Sequence, residues 1–399
     1  MKITAIKTFP YNAGWRDILL VKVETDEGIF GWGEAALQSR TRACETTIKE
    51  MEPYLIGKDP RQIELLWHNI YRNSYWRPSV TLLSALAGVE IAFWDILGKS
   101  LNAPIYALLG GAYHPRIEVY NNAWYFAPGS QPKSLEDFGK LAQQVVTQGF
   151  KYLKWDPWWF EDMEACPGPD VFITKEQMHR GRECVKVVRE AVGDDIELLI
   201  EMHGRFSPDD AIRIAWDLEE FRPYFIEEPI PPDCNVDALV KVSKATKIPV
   251  VAGERFHTRW GFWELLDKQA VSIIQPDLIY CGGILETKKI AAMAEVFYVR
   301  VAPHISEGPV NLAALVHVDA TTPNFTIQEC YYPDIPNYEK ILTASFPIPK
   351  NGFIELPTSP GLGVEIDEKA LIKKPFNYRP GLEFGNFWEG GLQVFGREG

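Results

Sequence analysis

The sequence has few cysteines and too little positive charge for several classes of function. Its six cysteines among 399 residues form no CxxC pair and no zinc-ligand spacing, which favours reduced thiols in a cytosolic protein. Lys and Arg total 41 against 54 Asp and Glu, and the net charge of −13 disfavours nucleic acid or an anionic membrane as a partner. The N-terminus lacks the apolar run of a signal peptide, and the longest apolar segment, 80–97, is interrupted by Ser84, Glu90 and Asp95. We therefore expect a soluble, cytoplasmic protein.

The first third of the chain shows a mixed α+β pattern. Residues 1 to about 36 alternate as strands do, with a turn at 26–28. Apolar residues then recur at helical intervals over 46–55, 62–72 and 81–97. These patterns predict an N-terminal α+β domain over residues 1–115.

Short apolar runs alternate with helical stretches after Pro115. Eight runs are candidate strands: 117–120, 152–155, 196–202, 224–226, 249–252, 271–275, 299–302 and 325–327. Strands that alternate with helices pair in parallel, and eight such units close into a (β/α)8 barrel of about 250 residues. We therefore predict an α/β protein with a TIM-type barrel over residues 116–330. A Pro- and Gly-rich segment over 331–399 is expected to return to the N-terminal domain.

Ionisable residues stand at the ends of these candidate strands, where barrels of this kind carry their functional groups. In chain order they are Lys154, Asp156, Glu201, His203, Glu227, Glu254, Asp277, His304 and Glu329. From Glu201 onward, the residues at successive strand ends are 23 to 27 positions apart, about one βα unit. Groups one unit apart are neighbours around the barrel, so these side chains are expected to converge at its mouth.

Three acids on consecutive strands predict a metal site. Glu201, Glu227 and Glu254 cannot all be ionised at contact distance without a cation between them. Carboxylate oxygens select a hard divalent ion, which indicates one Mg²⁺, with Mn²⁺ as a possible substitute.

Two histidines are candidate proton-transfer groups. Asp277 lies one unit before His304, so its carboxylate can hold the imidazole and make it a general base. His203 lies two residues after Glu201, and strand alternation places both toward the mouth. A second imidazole there can protonate a leaving group, or it can merely hydrogen-bond the metal ligands.

Two further strand-end residues are candidates for stabilising an anion. Lys154 and Asp156 share an inward face by the same alternation, and the lysine can stabilise negative charge or pair with Asp156 or a neighbouring acid. Glu329, on the last strand, can hydrogen-bond a metal-bound carboxylate if it shares a proton.

Over nearly its whole length, the chain resembles the enolase superfamily, mandelate racemase subgroup. The motifs that carry the resemblance are GWGE at 31–34, AGVEIAFWDILGK at 87–99, PIYALLGG at 104–111, FIEEP at 225–229, GE at 253–254, QPD at 275–277 and PH at 303–304. The resemblance implies that the N-terminal domain caps the barrel, that the predicted ligands and the Asp–His pair are functional, and that the protein is a homo-oligomer.

The third strand end narrows the resemblance to acid-sugar dehydratases. Glu201-Met-His203-Gly-Arg205 is similar to the motif of the galactonate and gluconate type, in which the histidine is the acid that expels the 3-hydroxyl. The superfamily's racemases and cycloisomerases usually carry a second lysine where this chain has Asp156, which favours a single base. The implied reaction is Mg²⁺-dependent dehydration of an aldonate, such as gluconate or galactonate, to a 2-keto-3-deoxy acid.

Substrate choice is expected to depend on cap loops and early barrel loops. Aromatic faces can stack on a sugar chain and arginines can bind a distal hydroxyl or carboxylate. The candidate substrate-binding residues are Arg16, Trp76, Asn122, Trp124, Asp156 and Arg205.

Three alternatives stay open at this point. An arginine aimed at the far end of the substrate would suit an aldarate rather than an aldonate. The same half-reaction could end in epimerisation or lactone cycloisomerisation, with His203 as a bystander. A catalytically silent sugar-acid binding protein would bind without exchange of the C2 proton.

Overall fold

A computed structural model describes residues 1–13, 17–38, 40–126, 132–158, 172–231, 235–331, 338–343, 348–373 and 376. The N-terminal domain begins with a three-stranded antiparallel sheet in which the second strand is central. Its strands are β1 (Ile3–Asn12), β2 (Asp17–Thr25) and β3 (Phe30–Glu34). Its helices are α1 (Thr41–Leu55), α2 (Ile63–Asn73), α3 (Val80–Ser100) and the short α4 (Ile105–Leu108).

Helix α3 is the core of this domain. It begins where the Ser79 hydroxyl accepts a hydrogen bond from the Leu82 N–H, and it packs on β3. Gly33 and Gly88 allow this close approach, since a side chain on Gly33 would overlap the carbonyl of Gly88. Among the described residues, α3 is the one helix whose length and hydropathy match a membrane span, and 72% of its apolar window is buried inside the protein.

Eight parallel strands form the barrel, paired in chain order. They are β4 (Arg116–Asn121), β5 (Tyr152–Trp155), β6 (Glu197–Glu201), β7 (Phe225–Glu227), β8 (Val250–Ala252), β9 (Ile273–Ile274), β10 (Arg300–Val301) and β11 (Gln328–Cys330). The eighth, β11, pairs in parallel with β4, the first. A parallel bridge between Val301 and Phe325 joins β10 to the segment before β11. β4 to β10 are thus joined in chain order, β11 adjoins β4, and the bridge connects β10 to the segment that leads into β11, an order typical of a (β/α)8 barrel.

Helices follow the strands around the barrel. They are α5 (Leu135–Thr147), α6 (Lys175–Val192), α7 (Pro208–Leu218), α8 (Val236–Ala245), α9 (Thr258–Asp267), the short α10 (Leu278–Cys281), α11 (Ile284–Val296) and α12 (Pro309–Ala320). Five of them begin at a side-chain cap, on Ser134, Thr174, Ser207, Asn235 and Asp277. Inside the barrel, a separate layer of buried apolar side chains fills the floor beneath the strand ends: Tyr120, Leu199, Phe225, Val251, Ile273, Ala302 and Ile327.

The C-terminal segment contacts both parts of the molecule. It contains β12 (Phe353–Glu355), antiparallel to β4, and α13 (Glu368–Lys373). Asp95 of α3 accepts a hydrogen bond from the Leu362 N–H at 2.9 Å, and Glu368 pairs with Lys22 of β2.

One predicted strand is misplaced. The run 325–327 was expected to form the eighth strand, whereas pairing with β4 begins at Gln328. The apolar run makes only the bridge from Phe325, because the register that β4 imposes places the polar residues Gln328 and Glu329 in the ladder. The apolar run therefore identified the eighth βα unit of the barrel, but not the residues that pair with β4 in its strand.

Candidate active site

Three carboxylates, two buried and one half-buried, meet at the carboxyl ends of adjacent strands. Glu201 ends β6, Glu227 ends β7, and Glu254 follows β8 by two residues. One oxygen of each lies within 4.8 Å of an oxygen of the other two. We call these three residues the carboxylate cluster.

Burial and like charges perturb the cluster strongly. Burial raises the pKa of Glu201 to about 7, and burial with the Glu201 charge raises that of Glu227 well above its usual value. Glu254 behaves oppositely, because His304 and Arg255 overcome burial and lower its pKa to about 2. Ionisation of all three acids therefore needs more positive charge than the surrounding residues supply.

Lys154 provides part of that positive charge. Its Nζ lies 2.9 Å from Glu227, 2.8 Å from Glu329 and 3.5 Å from Glu201, and the side chain is fully buried. Although burial opposes the charged form, Glu227 and Glu329 raise the pKa of Lys154 well above its usual value. The predicted pairing of Lys154 with a neighbouring acid is observed, and Asp156 is not that acid.

The residues present fit a hard divalent cation. The cluster offers three carboxylate oxygens close enough to share one ion, and such oxygens are the ligands that Mg²⁺ and Mn²⁺ take. Gln275 supports one of them, since its amide donates to Glu227 Oε2 at 2.7 Å. Supporting hydrogen bonds of this kind orient ligands toward a metal.

His304 joins the cluster to Asp277. Its Nδ1 lies 2.8 Å from Asp277 Oδ2, and its Nε2 lies 3.2 Å from Glu254 Oε2. The other Asp277 oxygen accepts hydrogen bonds from the Ile279 and Tyr280 N–H groups at 2.9 and 3.0 Å. Asp277 therefore receives Nδ1–H of the ring, and Nε2 faces the carboxylates.

The charges around this pair favour proton binding. Although burial opposes protonation, Glu254 and Glu329 raise the pKa of His304 well above its usual value. Burial, together with the charge of Glu307, raises the pKa of Asp277 to about 7. The surrounding carboxylates therefore favour the protonated form of the His304 imidazole.

His203 has a carboxylate partner of its own. Its Nδ1 lies 2.8 Å from Asp156 Oδ2, and Arg205 pairs with the same oxygen. Although burial opposes ionisation, Arg205 and His203 lower the pKa of Asp156. The His203 backbone N–H donates to Glu201 Oε1 at 2.7 Å, so this histidine stands directly beside the cluster.

The residues predicted to bind substrate lie in different places. Asn122 is in the site, with its amide donating to Glu329 and to the Tyr331 hydroxyl. Trp124 is buried, and its indole N–H donates to the Lys154 carbonyl at 2.9 Å. Asp156 and Arg205 are both completely buried and paired with each other.

The other two residues predicted to bind substrate, Trp76 and Arg16, belong to the N-terminal domain. Trp76 lies between α2 and α3 with 85% of its surface exposed, and within the described residues its ring contacts Tyr75 rather than the carboxylate cluster. Arg16 lies outside the described residues.

Sequence reasoning did not identify several charged residues that lie directly behind the carboxylate cluster and the His304–Asp277 pair. Glu228 and Arg255 each follow a cluster carboxylate directly and pair with each other. Tyr280 donates to Glu307, which is buried behind the His304–Asp277 pair. The one available signal was the repeated charge immediately after a strand-end acid, in Glu227-Glu228 and Glu254-Arg255.

Comparisons with known proteins agree over most of the chain. Residues 11–110 match the family model of the mandelate racemase / muconate lactonizing enzyme N-terminal domain, and residues 137–370 match the enolase C-terminal domain-like model. A D-galactonate dehydratase of Ralstonia pickettii (strain 12J) is 36% identical over 381 residues, 94% of each chain.

Solved structures give the same picture. A candidate dehydratase from Mesorhizobium loti is 34% identical with a TM-score of 0.88, over 94% of this chain and 99% of that one. A candidate dehydratase from Zymomonas mobilis ZM4 is 35% identical with a TM-score of 0.87, over 94% and 98% of the two chains.

Proposed function

The chain belongs to the enolase superfamily, in its mandelate racemase subgroup, and from this membership and the site we propose that it is a hydro-lyase acting on sugar acids. The substrate would be an aldonate such as D-galactonate or D-gluconate, and the product a 2-keto-3-deoxy acid. The observation that carries the proposal is the presence of two histidine–carboxylate pairs beside one carboxylate cluster.

The two histidines stand across the barrel from each other. His203 follows β6 and His304 follows β10, and these strands are four steps apart in the strand order. In a ring of eight strands, four steps lead to the opposite side. A substrate held at the mouth would therefore have one imidazole on either side.

His304 is the base in this proposal. Asp277 holds its Nδ1–H, so Nε2 takes the proton from C2 of the substrate. The electron pair of the broken C–H bond then forms the double bond of an enediolate, whose negative charge collects on the carboxylate oxygens. Lys154, buried between Glu227 and Glu329, is the nearest source of positive charge for that anion.

His203 is the acid. It protonates the 3-hydroxyl as the C3–O bond breaks, and water leaves. The remaining enol takes up a proton at C3 and becomes the keto acid, so the reaction balances as loss of one water. We propose that Asp156 and Arg205 act through His203, since both are buried and Asp156 contacts its Nδ1.

We propose Glu201, Glu227 and Glu254 as the residues that hold one Mg²⁺, or Mn²⁺ in its place. When bound, the ion supplies positive charge that stabilises the substrate carboxylate as the C2 proton leaves. Glu329 and Asn122 border the same space and are proposed to hydrogen-bond the substrate carboxylate end.

The proposal also covers substrate recognition, cellular location and oligomeric state. We propose that Arg16 and Trp76 contribute to recognition of the distal part of the sugar acid, and that the buried Trp124 acts indirectly, by supporting the Lys154 backbone. We propose that the protein acts on small molecules in the cytoplasm and, because the family resemblance implies it, that it is a homo-oligomer.

Purified protein incubated with Mg²⁺ and a panel of aldonates and aldarates tests the proposal. A 2-keto-3-deoxy acid formed from an aldonate, with deuterium uptake when the reaction is run in D₂O, supports it. Deuterium exchange at C2 without a keto-deoxy product would move the function to epimerisation or cycloisomerisation. Turnover of aldarates alone would change the substrate class.

A further inference from the structure

An ion pair between a buried glutamate, Glu228, and a partly exposed arginine, Arg255, stands beside the carboxylate cluster. Glu228 follows Glu227 at the end of β7, and Arg255 follows Glu254 after β8. The Arg255 Nη2 donates to Glu228 Oε2, and Glu228 is 3% exposed. The other carboxylate oxygen, Oε1, is buried and accepts no hydrogen bond from the described residues. Arg255 is therefore the side chain that compensates this buried charge.

The Glu228–Arg255 pair also contacts the loop that follows a third strand, β6. The Gly204 N–H donates to the Glu228 carbonyl at 2.7 Å, and the Glu228 N–H donates to the Val251 carbonyl at 3.0 Å. Gly204 has φ +61°, and any side chain on it would overlap the Arg255 guanidinium. The loops after β6, β7 and β8 are thus packed around one guanidinium group.

Two of these loops carry unusual backbone conformations next to the metal-ligand candidates. His203 has φ +48° and Glu228 has φ +42°, a left-handed region that such side chains rarely adopt. Such a conformation persists only where the surroundings of the residue determine it. The Glu228–Arg255 pair is one contact that holds Glu228 there.

Arg255 also touches the cluster itself. Its Nε lies 3.9 Å from Glu254 Oε1, so the guanidinium lies between Glu228 and a candidate ligand. If the partner carboxylate of Glu228 were removed, Arg255 could turn fully to Glu254 and occupy its oxygens. The pair therefore both places the backbone of two ligands and restrains a cationic side chain that would otherwise compete for Glu254.

We propose that the Glu228–Arg255 pair positions Glu227 and Glu254 for the divalent cation. This inference rests on the proposed metal site. Neither residue is a catalytic residue in this account; both act through the carboxylates beside them. Partners of metal ligands typically contribute 10- to 100-fold to metal affinity or activity.

The charge of Arg255 gives a discriminating variant. If Arg255 acted only through its positive charge, Arg255→Met would remove a repulsion and tighten binding of a divalent cation. If it positions the ligands, the same variant weakens binding, because Glu228 loses its partner and two strand ends lose their anchor. Glu228→Gln keeps the shape of the side chain and releases Arg255 toward Glu254, and it too weakens binding.

The chain offers a matched control. Arg259 and Glu286 also form an arginine–glutamate ion pair between neighbouring βα units. The Arg259 Nε donates to Glu286 Oε1 at 2.9 Å. Both pairs span 27 positions in sequence. Glu286→Gln therefore removes an equivalent ion pair that does not adjoin a cluster carboxylate.

The experiment is titration of Mn²⁺ and of Mg²⁺ into chelator-treated protein by calorimetry, with thermal unfolding of each variant as a folding check. We expect Arg255→Met and Glu228→Gln to weaken the cation about 10- to 100-fold, Arg255→Lys to fall between them and the wild type, and Glu286→Gln to bind as the wild type does. The lysine and glutamine variants keep the test decisive if the methionine variant does not fold.

Two results overturn the inference. Unchanged or tighter binding in Arg255→Met, whatever the result for Glu228→Gln, with the wild type binding normally, removes the positioning role and leaves the proposed function intact. A wild-type protein that binds neither cation overturns the metal site and this inference together.

Discussion

The Nδ1 atom of His203 lies 2.8 Å from Oδ2 of Asp156. The same separation joins Nδ1 of His304 to Asp277. Each ring is thus held by a carboxylate on one nitrogen, and the two pairs follow strands on opposite sides of the barrel. This arrangement suits two proton transfers at one substrate, and it predicts that the two histidines can be separated experimentally.

Replacement of His203 should stop dehydration while preserving proton abstraction. His203→Asn removes the acid for the 3-hydroxyl, so formation of the 2-keto-3-deoxy acid should fall about 10²- to 10⁴-fold. The C2 proton should still exchange with D₂O, because His304 and Asp277 are unchanged. Proton NMR of the recovered aldonate measures this exchange. Loss of exchange along with product formation would contradict the assignment of His203 to the second step.

Replacement of His304 should stop both processes. His304→Asn removes the base, so C2 exchange and keto-acid formation should decline together, about 10²- to 10⁴-fold or more. The two rates are followed in one D₂O incubation by NMR. Glu307→Gln serves as a comparison behind the pair, and it should retain far more exchange than His304→Asn. Exchange that survives in His304→Asn would point to another base.

Asp156 should contribute to stability as well as to turnover. Asp156→Asn removes a charged partner of the buried Arg205 guanidinium, and breaking a buried ion pair in this way typically costs about 3–5 kcal/mol of the free energy of unfolding. Urea denaturation of the folded variant measures it. Asp59→Asn breaks a surface pair with Arg61 at 2.7 Å and should change stability by less than about 1 kcal/mol. Equal losses of stability in the two variants would show that the buried Asp156 contributes no more to stability than a residue of a surface ion pair.

His317 should make stability depend on pH on the acid side. The ring is buried in α12; Nδ1 accepts from the Tyr106 N–H at 3.1 Å and Nε2 lies 3.2 Å from the Leu362 carbonyl. Burial lowers its pKa to about 4 from 6.5. The unfolded chain therefore binds a proton first, and the contribution of this histidine is complete above pH 6.5 and is lost as pH falls from 6.5 toward 4.

The size of that effect follows from the shift. A difference of about 2.5 pKa units corresponds to roughly 3 kcal/mol between pH 7 and pH 4. Denaturation midpoints across this range should fall less steeply with acid in His317→Gln than in the wild type. His68→Gln, on the surface of α2, should keep the wild-type slope. Parallel curves for His317→Gln and the wild type would refute the prediction.

Sequence periodicity located the site because functional residues of a barrel follow its strands. The spacing of about one βα unit was sufficient to bring Glu201, Glu227 and Glu254 together, and the structure places their oxygens within 4.8 Å. The contact between His304 and Asp277 followed from the same spacing. Both depend on strand order, which is a property of the fold class.

The contacts made by residues beyond the strand ends could not be predicted from periodicity. Alternation placed Lys154 and Asp156 on one face, but β5 ends at Trp155 and the chain turns. Asp156 then meets His203 and Arg205, from the loop after the next strand. Loop conformations such as the positive φ of His203 decide these contacts, and periodicity carries no information about them.

Helix α3 has a consequence for how the protein is made. Its Glu90 accepts hydrogen bonds from the N–H groups of Ile284 and Leu285, and its Asp95 accepts one from Leu362, 267 residues later. At a translation rate of about 5–20 residues per second, the last of these partners emerges from the ribosome roughly 10–50 s after the helix. During that interval the part of α3 that these later residues cover stays exposed, although its contacts with β2, β3, α1 and α2 can already form. The N-terminal domain synthesised by itself is therefore expected to expose this face and to be less soluble than the whole chain.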